Sequence, residues 1–203
     1  QTVALLLALS LLHGLAARYL AGRPRLAEIA SGLIFGSVCL VGMMIPINLA
    51  PGVIVDGRSV LLSMAGLFGG PVTGLIAGAI AGAYRVWLGG SGMVIGTTVI
   101  ALGVALGLAY RAGWARGWLA RKPIHLFAFG VALHALSMVL IGLVPAQSIA
   151  KIFATLGVPY LLIMGAATTL LGLLLQDLEK RQHNERALSE REARLRAIAG
   201  AVP

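Results

Sequence analysis

Two arginines, Arg58 and Arg85, bracket the stretch RSVLLSMAGLFGGPVTGLIAGAIAGAYR, whose interior carries no charge. A guanidinium presents five donors in one plane and pairs with a carboxylate through two parallel, charge-assisted hydrogen bonds. In a partly dry setting such bonds strengthen, and an arginine without an anion is costly. Acidic partners are scarce, because Asp56 and Glu28 are the only acidic residues before position 177. Two readings follow. Arg58 and Arg85 clamp a small anion, a carboxylate by preference, or Arg58 pairs with Asp56 while Arg85 reaches to lipid phosphates.

Polar side chains near the pair extend the first reading. Asn48 and Asp56 fall in the connection before Arg58, Tyr84 and Trp87 flank Arg85, and Ser91, Thr97 and Thr98 open the next apolar segment. Hydroxyls and amides at a pocket mouth would read the rest of a small ligand. The alternative is that Tyr and Trp anchor at a membrane interface and the threonines bond their own helix. His13 and His134 lie within apolar segments and read as packing residues. No spacing of His, Cys, Asp or Glu suggests a metal, and no nucleophile has a base beside it. The fragment is therefore expected to be non-catalytic and to carry no cofactor.

The elements that must hold these residues are membrane helices. The 203 residues are 59% hydrophobic and 11% charged, where soluble domains carry about 25% charged residues. Several apolar runs approach the roughly 20 residues needed for a helical span. The net charge of +9 does not indicate nucleic acid, because the basic residues fall between spans and in the tail, and the lipid bilayer is the expected partner. The lone Cys39 lies inside an apolar run and can form no internal disulfide.

Apolar segments occupy about 3–20, 27–46, 58–69, 71–88, 93–111, 123–144 and 150–177. Basic clusters lie at Arg18, Arg23 and Arg25, at Arg111, Arg116, Arg121 and Lys122, and from Lys180 onward. The positive-inside rule places all three in the cytoplasm. Residues 58–88 must then leave one side and return to it, which predicts a hairpin turning at Gly69-Gly70-Pro71. Arg58 and Arg85 would each rise roughly 18–22 Å above that turn, at similar height near the outer face of the membrane. Loop 47–57 would cover them. Glycines 74, 78 and 82, four apart, would seat the second leg against neighbouring helices. The expected fold is an all-α, polytopic bundle of six to seven segments, two of them short.

After residue 176 the composition changes. Five of the seven acidic residues lie in QDLEKRQHNERALSEREARLRAIAGAVP, interleaved with basic ones, which predicts a solvated helix. Leu174, Leu178, Leu188 and Leu195 form a weak heptad stripe, interrupted by Arg181, Glu185 and Glu192. The domain plan is residues 1–176 as the membrane domain, 177–198 as a cytoplasmic linker helix able to pair in a parallel homodimer and to carry motion from the membrane, and 199–203 as the beginning of a further domain.

The segment DGRSVLLSMAGLFGGPVTGLIAGAIAGAYRVWLGG resembles the core of the LytS-type five-transmembrane receptor family. The resemblance rests on Asp56 two residues before Arg58, the AGLxGGP turn at 65–71, the glycine-spaced helix, and Arg85 followed by Gly89-Gly90. It implies the input module of a bacterial sensor histidine kinase or diguanylate cyclase in the inner membrane, with a small carboxylate such as pyruvate as ligand. EREARLRAIAGAVP looks like the helix that opens a PAS domain. The fold also resembles the substrate-binding membrane subunits of energy-coupling vitamin transporters, so a substrate-capture subunit of an importer is the alternative function.

Overall fold

The structure, a computed structural model, describes Gly14, Leu20 and residues 22–44, 47–50, 53–55, 57–90, 92–142 and 147–200. Helix α1 spans Pro24–Met44, strands β1 and β2 span Ile47–Ala50 and Val53–Val55, and α2 spans Arg58–Met64 and widens into a π turn over Ala65–Gly69. Helices α3 (Gly70–Leu88), α4 (Met93–Ala115), α5 (Pro123–Gly142) and α6 (Gln147–Gly200) follow. Proline opens α1 and α5 and follows the first residue of α3, positions where its missing N–H costs no helical hydrogen bond.

Five helical stretches among the described residues are long and apolar enough to cross a membrane: Pro24–Met44, Arg58–Leu88, Met93–Ala115, Pro123–Gly142 and Leu156–Glu185. The chain is a multi-pass helical membrane protein. The sequence reading divides the same residues into six segments, because it cuts Arg58–Leu88 in two. That stretch is not one straight rod. Gly70 has φ 83° and ψ −169°, a conformation outside the helical region and open to glycine alone. A Cβ on Gly74 would lie 3.2 Å from the Cα of Gly66, whereas residues eight apart on a straight helix are separated by about 12 Å. The chain folds back at Gly69-Gly70.

Neighbouring helices report the same reversal. Gly103 and Gly107 of α4 face the carbonyls of Ser59 and Ser63, so α2 runs parallel to α4. Val104 meets Gly74 and Gly78, and Gly92 and Gly96 meet Arg85, so α3 runs antiparallel to α4. Helix α1 runs parallel to α3, with Gly32 on Ile76 and Gly36 on Ile80. Helices α5 and α6 are antiparallel, with Gly165 on Phe127 and Gly172 on Leu126.

The hairpin is the centre of the bundle and far more buried than the other spans. Every residue of α2 after Arg58 is buried. Val60, Leu62, Met64 and Leu67 pack there with Phe35 and Cys39 of α1 and Leu171 and Leu175 of α6. Close approach depends on glycine at two places in particular. A Cβ at Gly107 would collide with the Ser63 carbonyl, and one at Gly66 would lie 2.9 Å from the Val104 carbonyl. Gly82, expected to share in this packing, has nothing within 4 Å of its Cβ position.

Among the described residues, the basic connections share one end of the bundle with the hairpin turn. Arg23 and Arg25, the hairpin turn, residues 111–122 and the continuation of α6 beyond residue 176 gather there. Residues 47–50, 53–55, 57 and 89–90 lie at the other end. Connection 47–57 contains an antiparallel strand pair, Ile47 opposite Val55 and Asn48 opposite Ile54. The all-helical expectation had no strand. Its signal was present as β-branched residues on both sides of Pro51-Gly52.

Candidate functional site

Arg58 and Arg85 stand on the two legs of the hairpin, toward the end away from the basic connections. Every other described arginine lies at the basic end or in the helix beyond it. Both are half-buried. Arg58 is the first residue of α2, after Gly57, which supplies no side-chain cap.

Arg85 lies in the last turn of α3, where a cation complements the helix dipole. Its Nη1 donates to the Gly89 carbonyl at 2.8 Å. Gly89 and Gly90 have φ 63° and 81°, the left-handed region that lets the chain stop the helix and turn. The Arg85 stem lies along α4 in a slot opened by two glycines. A Cβ on Gly96 would collide with Arg85 Nε, and one on Gly92 would lie 3.0 Å from its Nη2. Sequence reasoning had Arg85 followed by Gly89-Gly90 as a motif, without a physical link between them. The structure makes them one unit with Gly92 and Gly96.

The two arginines are not level. Contacts of Gly103 with Ser59 put Arg58 beside about Leu102 of α4, while Arg85 lies beside Gly92 and Gly96. At 1.5 Å per residue, Arg58 is roughly 10 Å nearer the turn than Arg85. This corrects the expectation of similar height. The offset arises because Gly103 and Gly107 seat α2 deep against α4, a register that counting residues from the turn does not capture.

The remaining candidates separate. Tyr84 is half-buried against the core, its ring 5.7 Å from that of Trp87. Thr97 donates to the carbonyls of Met93 and Val94, and Thr98 to that of Val94. Their hydroxyl protons are used within α4, as the alternative reading of those residues had it. Thr98 follows Gly96 by two residues, roughly 200° around the helix from the Arg85 slot, and is exposed. Asn48 lies on β1 opposite Ile54. Asp56 and His13 lie outside the described residues. His134 is fully buried, with Nδ1 2.7 Å from the Gly130 carbonyl and its ring edge-on to Tyr160.

At the basic end the structure reveals two arginines that sequence reasoning counted only as topology signals. Arg111 donates from Nη1 to the carbonyls of Leu67 (2.9 Å) and Phe68 (3.0 Å), at the C-terminal end of the π turn. Carbonyls at a helix C-terminus commonly need partners from outside the helix, and the cation donates to both. Arg121 stacks on Trp114 and Phe68, at 3.7 and 5.1 Å from its guanidinium carbon to the ring centroids, and forms a 2.7 Å ion pair with Glu179 of α6. Interface arginines that snorkel and interface arginines that anchor a turn look alike in sequence.

Comparison with known proteins agrees with this architecture. The chain is 28% identical over 183 residues to the "Sensor protein LytS" of Oceanobacillus iheyensis, an alignment covering 79% of this chain and 30% of that protein. The chain thus spans about a third of that relative's length. No solved structure matches it. The family described as "5TMR of 5TMR-LYT" matches residues 9–178, most of the chain and all of the hairpin, and the protein belongs to this LytS-type five-transmembrane receptor family.

Proposed function

We propose that this chain is the signal-input part of a bacterial inner-membrane sensor, and that Arg58 and Arg85 capture a small carboxylate from the periplasmic side. The observation that carries the reading is the placement of two half-buried arginines on the two legs of one central hairpin, away from every other described arginine. The positive-inside rule assigns the basic end, and with it the continuation of α6, to the cytoplasm. The relative's description as a sensor supports the same role.

An anion arriving from the periplasm meets Arg85 first and Arg58 deeper in. Arg85 exchanges its bond to the neutral Gly89 carbonyl for a charge-assisted one to the ligand. Asn48, Asp56 and Tyr84 are the proposed readers of the rest of the molecule, and the intrahelical use of their hydroxyl protons leaves Thr97 and Thr98 out of it. Binding draws α2, α3 and the connection 47–57 together. It shifts the receptor only to the extent that the ligand prefers the closed arrangement.

The output follows α6 into the cytoplasm, where two copies pair. By family resemblance the domains beyond are a PAS domain and a histidine kinase or diguanylate cyclase. The 54-residue α6, roughly 80 Å long, favours this reading over the substrate-capture subunit of an importer, which has no use for a signalling helix. Calorimetry of the chain in lipid nanodiscs with acids of two to six carbons tests the site. One acid is expected to bind, and Arg58→Ala and Arg85→Ala are each expected to abolish its heat while leaving thermal stability unchanged. Unchanged affinity in either variant refutes the clamp.

A further inference from the structure

Arg121 touches three separate elements at the basic end. Its guanidinium lies over the rings of Trp114 of α4 and Phe68 at the hairpin turn, and its Nη1 donates to Glu179 Oε2 of α6 at 2.7 Å. Its main chain is fixed as well. Gln176 Nε2 of α6 donates to the Arg121 carbonyl at 2.7 Å, and the Tyr110 hydroxyl donates to the Ala120 carbonyl at 2.7 Å. The Arg121 side chain is 16% exposed, so the ion pair is shielded on the side of the turn and open on the side of Glu179.

Phe68 lies at the far end of the hairpin's first leg. Helix α2 and its π turn form one buried rod whose first residue is Arg58, and Phe68 lies ten residues on, roughly 15 Å away. Arg111 ties the same turn to α4 through the Leu67 and Phe68 carbonyls. A displacement of α2 along its axis therefore arrives at Phe68, beneath the Arg121 guanidinium. Movement of α6 arrives at the same group through Glu179 and Gln176. Arginine suits this position because its plane stacks on two rings while its edge pairs with a carboxylate, which a lysine ammonium cannot do at once.

We propose that Arg121 is the coupling residue of this receptor, joining the hairpin turn to the helix that leaves the membrane. The role rests on the reading of α6 as the output helix and is independent of which ligand Arg58 and Arg85 take. Coupling between two elements is reciprocal, so a change made on α6 must be felt at the opposite end of the hairpin.

The test uses the full chain in nanodiscs with no anion added, so its outcome is separate from that of the capture reading. In a Cys39→Ala background, spin labels at Val72→Cys and Asn184→Cys report the distance between the hairpin turn and α6. Arg121→Gln and Glu179→Gln are each expected to shift or broaden that distance, the two together no further than either alone, and Arg121→Lys to fall between parent and Arg121→Gln. A single label at Gly57→Cys, beside Arg58, is expected to change its spectrum on Glu179→Gln, and to lose that response when Arg121 is already Gln. Should Arg121→Gln fail to fold, the half-exposed Glu179→Gln carries the distance and Gly57 measurements alone. A parent-like distance in Glu179→Gln, shifts that add, or an unresponsive Gly57 label overturns the proposal.

Discussion

At the residue scale, Arg85 owes its placement to glycines on the neighbouring helix. The slot along Gly92 and Gly96 has no room for a Cβ at position 96. Gly96→Val is expected to push the guanidinium out of its slot, and to weaken carboxylate binding by about tenfold or more, the loss that goes with a charged hydrogen bond of ~1.5–3 kcal/mol. Calorimetry checks it, with circular dichroism confirming that the helices persist; parent-like affinity in a folded Gly96→Val variant would show that the slot does not position Arg85. Arg111 makes a different point. It holds two carbonyls at the end of the π turn, and Arg111→Leu is expected to lower stability by roughly 2 kcal/mol or more through their lost charged donor. Thermal unfolding in detergent reads this, and a midpoint equal to the parent's contradicts it. Arg58 and Arg85 stand out in the sequence because charge inside apolar segments is conspicuous. Arg111 and Arg121 do not, since at a basic connection only the partners distinguish an anchor from a topology signal.

At the element scale, glycines that look equivalent in sequence do unequal things. Gly74 and Gly78 meet Val104, Gly107 meets a backbone carbonyl, and Gly82 meets nothing. Gly107→Val is expected to drive α2 off α4 and cost about 1–3 kcal/mol by overpacking. Gly82→Ala is expected to be neutral or to gain up to about 1 kcal/mol from helix propensity. Matched thermal unfolding of the two variants separates them; equal destabilisation would mean that the glycine face and not the individual contact matters. The hairpin itself was readable, because three basic clusters leave room for only one chain direction in each segment. The depth of its first leg was not, because the α2–α4 contact sets that register. The strand pair was missed because a short β-branched run beside a membrane span reads equally as apolar connection. The heptad stripe of the tail is partly spent inside the chain, where Leu178 lies 3.4 Å from the Cβ position of Gly14 and Gln182 bonds its carbonyl.

At the scale of the whole molecule, the bundle is a central rod held between two ends of different chemistry. One end carries the basic connections, Arg111, Arg121 and the start of the projecting helix. The other carries the strand pair, Arg58 and Arg85. Residues 59–64 are all buried between them. Everything depends on the reversal at Gly69-Gly70, since a single pass from 58 to 88 would put the two arginines on opposite faces of the membrane. The direct measurement is labelling by an impermeant thiol reagent in right-side-out and inverted membrane vesicles, with Gly57→Cys, Val72→Cys and Trp87→Cys each in a Cys39→Ala background. Positions 57 and 87 are expected to react from the same face and position 72 from the opposite one. Reaction of 57 and 87 from opposite faces would contradict the hairpin and dissolve the site.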